Sequence, residues 1–325
     1  MKKIFKFLGI FLAILIVAIV GFLIYFNFSY PDVDPPKNIK VESTPERIAR
    51  GEYLAKHVTI CLDCHSTRDY SKFSAPIVPG SDGKGGEGFL EEYGFPGNIY
   101  SKNLTPAAIG NWTDGELIRA ITCGVNKDDK ALFPLMPYLN YNQLSEEDLY
   151  SIVAYLRTLK PIENQVPETE LNFPLNLIVK TIPVKSYEPK KSIDTTDVLN
   201  YGKYLFTIAS CADCHTQSEK GEPLPGMYCA GGMEFLLPGG TLRSSNITPD
   251  IETGIGSWSL ERFLDRFRFY RNPESIIDVT PTEYNTIMPM TFYAGMTDKD
   301  LSAIYTYLQT LKPVKNKVER FSAKK

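Results

Sequence analysis

Two copies of one pentapeptide use most of the cysteine and histidine in this chain. Residues 61–65 read CLDCH and residues 211–215 read CADCH, which takes four of the 6 cysteines and two of the 3 histidines. Thiols and imidazoles are the side chains that bind soft metals or join covalently to a cofactor. The motif therefore predicts a metal or cofactor site in each half of the chain.

Three chemistries use this arrangement of residues. A structural zinc site needs four ligands, and pooling the four thiolates leaves both following histidines unexplained. A redox-active C-x-x-C pair accompanies a strand–helix pattern, which neither motif shows. Covalent haem attachment uses all three residues, because the thiols add to the porphyrin vinyl groups and the histidine binds iron. The pattern predicts two covalently attached haem c groups, held by Cys61, Cys64 and His65 and by Cys211, Cys214 and His215.

The second axial position of each iron decides what the site can do. Only His57 remains outside the motifs, so two bis-histidine sites are excluded. Methionine is the expected ligand, and it raises the reduction potential. Met136 in the first copy and Met288 in the second lie at the same distance from the last helix, and a proline follows each. Both are predicted metal ligands, with Met290 as the reserve candidate.

The chain is a tandem duplication. GEYLAKHVTICLDCH is similar to GKYLFTIASCADCH, NLTP to NITP, GNW to GSW, and EEDLYSIVAYLRTLKP to DKDLSAIYTYLQTLKP, in the same order. Such self-similarity indicates two structural units. We name residues 41–162 the first repeat, 163–196 the linker, 197–314 the second repeat and 315–325 the C-terminal tail. The apolar segment LNFPLNLIVKTIP in the linker is expected to pack against a repeat.

Helical signals dominate both repeats. Ser145 and Thr297 are good N-caps for the last helix of each repeat, with Asp148 and Asp300 at the third helical position of a capping box,. Apolar residues then recur at helical spacing until a proline. A glycine at the matched position of the helix before each CxxCH motif predicts a close helix contact, because it otherwise costs the helix about 1 kcal/mol. The expected fold class is all-α.

The N-terminus predicts a membrane anchor. Lys2, Lys3 and Lys6 precede an apolar run to Phe28 that is long enough for a transmembrane helix,. The run leads to no small-x-small cleavage site, so residues 1–30 are interpreted as an uncleaved signal anchor, with cleavage as the alternative. The lysines predict a single-pass protein of the inner (cytoplasmic) membrane with its haem domains on the periplasmic side. The rest of the chain is acidic overall, which excludes a nucleic-acid binder.

These motifs together resemble a known family. RGEYLA, CLDCH, GNWTDGEL, LFPLMPY and EDLYSIVAYLRTL, with their counterparts in the second repeat, are similar to di-haem class I cytochromes c. More narrowly, the chain resembles the cytochrome c subunits of periplasmic alcohol, aldehyde and gluconate dehydrogenases, which commonly carry three haems where this chain has two motifs. The resemblance implies two tandem cytochrome c-like helical domains, His/Met ligation, and redox protein partners such as a dehydrogenase, an oxidase or a small cytochrome.

The predicted function is single-electron transfer rather than catalysis. An iron with both faces occupied has no vacant site for substrate. The alternative is a di-haem enzyme, a peroxidase or thiosulfate dehydrogenase, with one open or differently ligated iron.

His57 is interpreted as a surface residue. Cys123 and Cys229 lie outside the motifs and are interpreted as buried free thiols, as one disulfide between the repeats, or as an axial ligand.

Overall fold

A single long helix opens the structure, a computed structural model that describes residues 2–219 and 221–324. Helix α1 (Lys2–Ser29) has no buried side chain. Its length and apolar composition suffice to cross a membrane,. This agrees with the predicted anchor, apart from Met1, which lies outside the described residues.

The first repeat consists of short helices around one packed pair. Pro45 begins its first helix, where a missing N–H is tolerated, and Thr44 caps that helix by accepting a hydrogen bond from Arg47 N (3.3 Å),. The helices are α2 (Pro45–Tyr53), α3 (Cys61–Cys64), α4 (Pro106–Ile109), α5 (Asp114–Cys123), α6 (Tyr138–Tyr141) and α7 (Glu146–Leu156), with a π-helical turn at Leu54–Val58 and a 3-10 turn at Glu91–Tyr93. Two strands also form, β1 (Gly88–Phe89) and β2 (Gly97–Tyr100).

The linker and the second repeat continue this plan. The linker contributes β3 (Glu170–Leu171), α8 (Leu175–Ile178) and a 3-10 turn at Val179–Thr181. The second repeat has the helices α9 (Val198–Ile208), α10 (Cys211–His215), α11 (Leu260–Arg268), α12 (Met290–Tyr293) and α13 (Asp298–Leu308), the strands β4 (Ser218–Glu219), β5 (Glu222–Pro223), β6 (Glu234–Leu237) and β7 (Gly240–Arg243), and 3-10 turns at Phe269–Arg271 and Pro273–Ser275. The tail ends in β8 (Phe321–Ala323).

The first and last helices of each repeat pack against each other at a glycine. α2 contacts α7, and α9 contacts α13. A Cβ atom on Gly51 would overlap the backbone carbonyl of Ser151, and one on Gly202 would overlap that of Ala303. The predicted close approach at these glycines is confirmed. Apolar residues of both repeats join in one core cluster, so the repeats also pack on each other.

Two tyrosines exchange hydrogen bonds between the repeats. Tyr204 of α9 donates to Asp148 Oδ2 (2.7 Å) and accepts from the N–H of Ser145 (3.1 Å), the N-cap of α7. In return, Tyr53 donates to Asp300 Oδ2 (2.5 Å) and accepts from the N–H of Thr297 (3.1 Å), the N-cap of α13. The exchange is reciprocal, like the contacts across a two-fold axis.

This exchange corrects part of the capping prediction. Ser145 and Thr297 do cap α7 and α13 through their hydroxyl groups. The aspartates, however, accept bonds from the opposite tyrosine, and that tyrosine also takes the N-cap N–H that a capping-box carboxylate would bind. The tyrosines were not singled out from the sequence, although G-x-Y stands at the matched place in both repeats.

Short antiparallel strands accompany the helices, and an all-α description omits them. β1, β2 and β3 form one sheet, β4 pairs with β5, and β6, β7 and β8 form another. All but β3 and β8 form in glycine-containing loops that fold back on themselves between the CxxCH motif and the tryptophan, Trp112 or Trp258, of the same repeat. The tail returns to the body, because Gly240 pairs with Ala323. The linker packs only in part: Val179 is buried, whereas Phe173 and Ile178 are exposed.

Candidate functional site

Each CxxCH motif occupies a short helix that follows a left-handed residue. Ile60 (φ 46°, ψ 37°) precedes Cys61, and Ser210 (φ 54°, ψ 32°) precedes Cys211. This conformation costs a residue with a side chain roughly 1–2 kcal/mol, so its presence in both repeats marks a constrained backbone. The cysteines then stand at positions i and i+3 of one turn, which brings their side chains to one face.

Both motif histidines are oriented by a backbone carbonyl. The Nδ1 atom of His65 lies 2.6 Å from the carbonyl oxygen of Lys102, and that of His215 lies 2.7 Å from the carbonyl oxygen of Ser245. Lys102 immediately precedes the sequence NLTP, and Ser245 immediately precedes the matching sequence NITP. Burial lowers the pKa of both imidazoles, which favours the neutral ring. With Nδ1–H donating, Nε2 keeps the lone pair that an iron needs.

The motif cysteines keep some exposure although protein surrounds them. Burial raises the pKa of Cys64 and raises the pKa of Cys214 to about 12. Yet Cys214 is exposed and Cys64 is half-buried. Two thiols on one face of a helical turn and one oriented imidazole fit the attachment of haem c.

Met136 and Met288 lie in loops of the same geometry. The carbonyl of each accepts a bond from the N–H two residues later, at 2.8 Å from Tyr138 N and 2.7 Å from Met290 N. The intervening prolines have φ −79°, ψ 55° and φ −76°, ψ 64°, which is an inverse γ-turn,. Met290 corresponds to Tyr138 and is 3% exposed in the core. The loop geometry supports Met288 over Met290 as the counterpart of Met136.

The methionine loop of each repeat is tied to the turn that carries its cysteines. Tyr141 of α6 donates to the carbonyl of Thr59 (2.7 Å), and Tyr293 of α12 donates to the carbonyl of Ala209 (2.8 Å). Each carbonyl lies two residues before the first motif cysteine. The predicted ligands of each repeat are thus held on connected elements.

The methionine loops also contact the opposite repeat. Asn140 of α6 donates to Ser210 Oγ (3.1 Å) and to Asp213 Oδ2 (2.9 Å). In the reverse direction, His57 Nδ1 lies 2.9 Å from the carbonyl oxygen of Phe292 in α12. His57 is half-buried between the repeats, so its interpretation as a surface residue is wrong.

A π-helical turn explains the place of His57. The segment from Tyr53 to Cys61 is one residue longer than the segment from Tyr204 to Cys211. The first repeat takes up this extra residue as the π-helical turn Leu54–Val58, which contains His57,. The repeat alignment shows the extra residue, but the contact with the other repeat is visible only in the structure.

The remaining cysteines do not pair with each other in the described structure. Cys123 and Cys229 are both buried and free. Cys123 contacts Thr122 Oγ1 (3.6 Å), whereas the N–H of Cys229 donates to Thr216 Oγ1 (3.0 Å). Burial raises the pKa of Cys229 to about 12, which disfavours the thiolate that an axial ligand would be,. Of the three interpretations, the structure agrees with buried free thiols.

The fold and this donor set define a protein with a cytochrome c domain. The cytochrome c family model matches residues 199–312, which include nearly all of the second repeat. A cytochrome c domain implies covalently bound haem c.

Known relatives extend this likeness over both repeats. The chain is 32% identical over 285 residues to the fructose dehydrogenase cytochrome subunit of Gluconobacter japonicus, covering 81% of this chain and 52% of that protein. It is 28% identical over 290 residues to the gluconate 2-dehydrogenase cytochrome c subunit of Pantoea cypripedii, covering 81% and 59%. A diheme cytochrome c-type protein of Cereibacter sphaeroides is 26% identical over 207 residues, covering 61% and 65%.

These matches confirm the resemblance to cytochrome c subunits of dehydrogenases. The relatives of fructose and gluconate dehydrogenase are named as cytochrome subunits, which carry electrons, and not as catalytic subunits. This chain spans a little over half the length of each of those two relatives.

Proposed function

We propose that this chain is a membrane-anchored di-haem cytochrome c that transfers single electrons, with one haem in each repeat. The observation that carries the proposal is the duplicated site, in which a C-x-x-C pair, a carbonyl-oriented histidine and a γ-turn methionine recur in the same geometry. Residues 41–162 and 197–314 form the two haem domains, joined by the linker 163–196. Residues 1–30 anchor them, and 315–325 form the tail.

Each residue of the site has one role. Cys61, Cys64, Cys211 and Cys214 would hold the porphyrin through thioether bonds, and His65 and His215 would bind iron through Nε2. Met136 and Met288 would supply a thioether sulfur as the second iron ligand of each repeat. When bound, haem supplies a one-electron Fe(III)/Fe(II) couple. The carbonyl of Lys102 or Ser245 fixes the imidazole, and the proline γ-turn limits movement of the methionine, so both side chains would be held in place for the iron.

The relatives suggest the redox partner and the location. Because two of the relatives are subunits of fructose and gluconate dehydrogenases, the proposed electron donor is a dehydrogenase bound to the same membrane. Another redox protein, such as an oxidase or a small cytochrome, then takes the electrons. Lys2, Lys3 and Lys6 keep the N-terminus in the cytoplasm, which places both haem domains on the periplasmic side of the inner membrane.

The ligand set can be tested in the full chain, matured in cells that attach haem c. The intact mass should include two haems. Met136→Ala and Met288→Ala should each lose one of two contributions to the ferric methionine–iron charge-transfer band, and each reduced variant should bind carbon monoxide. Met290→Ala is the matched control and should keep the band. Loss of the band in Met290→Ala, with Met288→Ala unchanged, would reassign the ligand, and a bare polypeptide mass would refute the proposal.

His57 should affect the second haem although it lies in the first repeat. His57→Ala removes the bond to the Phe292 carbonyl, and α12, which begins directly after Met288-Pro289, loses a support of about 1 kcal/mol. We expect a weaker charge-transfer band and a shifted potential for one haem only in a spectroscopic redox titration. Lys56→Ala, on the preceding residue, is the control. Equal shifts of both haems, or none, would contradict this role.

A further inference from the structure

The linker carries apolar side chains that the rest of the structure leaves exposed. Phe173 is 79% exposed and Ile178 is 46% exposed, and Leu177 between them is half-buried. The segment is nevertheless held in place, because Leu171 pairs with Gly97 on one side and Val179 is buried on the other. An ordered segment that presents a large aromatic and an aliphatic side chain to the surroundings indicates a contact surface.

The length of α1 indicates where a bilayer would end. Lys6 is the last charged residue of the helix, and the side chains from Phe7 to Phe26 are apolar or glycine apart from the hydroxyl group of Tyr25. At about 1.5 Å per residue, such a stretch spans about 30 Å, the thickness of the hydrocarbon core. Asn27, the next residue, therefore marks the outer edge of the hydrocarbon region.

The linker is attached to α1 at this level. Lys180 Nζ, in the turn that follows α8, donates to Asn27 Oδ1 at 2.5 Å. Lys185 pairs with Asp32 at 3.2 Å, and the carbonyl of Lys185 accepts from Asp34 N at 2.8 Å. Residues 173–178 end two positions before Lys180 in the chain. They therefore lie close to the depth at which a lipid headgroup layer begins.

We infer that residues 173–178 dock on the lipid bilayer, with Phe173 and Ile178 inserted into the outer leaflet at the headgroup boundary. The inference rests on the proposed membrane anchor. Aromatic side chains favour this boundary, and Tyr25, Phe28 and Tyr30 are exposed at the same end of α1,. The ammonium group of Lys180, whose partner is the neutral side chain of Asn27, lies near this boundary and suits an anionic lipid surface,. Two attachment points, α1 and this segment, hold the repeats in one orientation on the membrane.

The test uses the full haem-loaded chain in vesicles of phosphatidylcholine and phosphatidylglycerol with a lipid-soluble diazirine probe. After photolysis, mass spectrometry locates the labels. Label is expected on α1 and on residues 171–180. Ile251 (72% exposed) and Phe269 (60% exposed), in the second repeat, serve as internal controls for apolar exposure without lipid contact.

A double variant, Phe173→Gln with Ile178→Gln, should lose the label on residues 171–180 while α1 stays labelled. Label on α1 with residues 171–180 at the level of the controls would overturn the docking and leave the anchor standing. The docking is also overturned, with the anchor still standing, if the double variant keeps its label. It is overturned as well if a protein partner covers residues 171–180 and keeps the probe away from them. An unlabelled α1 would instead overturn the anchor itself, and the docking with it.

Discussion

Gly202→Ala is expected to lower the stability of the haem-loaded protein by about 3 kcal/mol. Replacing glycine by alanine in an exposed helix would raise the stability by about 1 kcal/mol, because alanine has the higher helix propensity. The effect expected here has the opposite sign. The reason is that the new methyl group would overlap the carbonyl of Ala303, which belongs to the backbone of α13 and cannot rotate away. α9 and α13 would have to separate, and the core side chains between them would lose contacts.

The measurement is denaturant unfolding of the holoprotein followed by circular dichroism. Gly51→Ala should behave in the same way, because its methyl group would overlap the carbonyl of Ser151. Lys203→Ala is the matched control, since Lys203 is exposed on the same helix next to Gly202. We expect that variant to stay within about 0.5 kcal/mol of the wild type. A Gly202→Ala protein as stable as the control would show that the helices are further apart than the structure has them.

Asp148→Ala is expected to cost about 2–3 kcal/mol, more than an ordinary surface charge. Asp148 accepts two bonds from Arg50, at 2.8 and 3.1 Å, and one from Tyr204 at 2.7 Å. Its removal leaves the hydroxyl of the buried Tyr204 with only the long 3.5 Å contact to Ser145 Oγ as an acceptor. The Arg50 side chain is about one-third exposed, so water compensates part of the loss on that side,.

The neighbouring residue provides the control for this prediction. Glu147 is in the same helical turn and pairs with Arg47 at 2.7 Å, but its side chain is half exposed. Both substitutions remove one negative charge near the N-terminus of α7, so the helix-dipole contribution cancels in the comparison. Glu147→Ala should change the free energy of unfolding by about 0.5 kcal/mol at most.

A double-mutant cycle of Asp148→Ala with Tyr204→Phe isolates the contact between the repeats. A coupling energy of about 1 kcal/mol or more is expected, because each single substitution removes the same hydrogen bond. The cycle of Asp300→Ala with Tyr53→Phe should give a similar value. Additive effects in both cycles would mean that the repeats do not exchange these bonds in solution.

Much of the site could be predicted from sequence because its determinants are local. The two CxxCH motifs, the methionine–proline pairs and the N-caps Ser145 and Thr297 each depend on a few consecutive residues and recur in both repeats. Gly51 and Gly202 could be recognised in the same way, since a glycine at a matched helical position indicates a close contact. The predicted anchor is similarly a property of one apolar stretch.

The contacts between the repeats could not be predicted, because they depend on how two packed bodies are placed. His57 contacts Phe292, which is 235 residues away, and Tyr53 contacts Asp300, which is 247 residues away. No periodicity or spacing within one repeat contains this information. The short strands escaped prediction for a related reason: β3 and β8 come from the linker and the tail and pair only where those segments meet a repeat.

The tyrosine–aspartate exchange has a consequence for the origin of the chain. Each bond from one repeat is returned by the corresponding bond from the other, which is the pattern that two identical subunits show in a homodimer. Fusing two such subunits into one polypeptide keeps the contact and makes its formation independent of protein concentration. Once joined, the halves could diverge, and the extra residue in one π-helical turn is the kind of asymmetry that a dimer of identical chains cannot acquire.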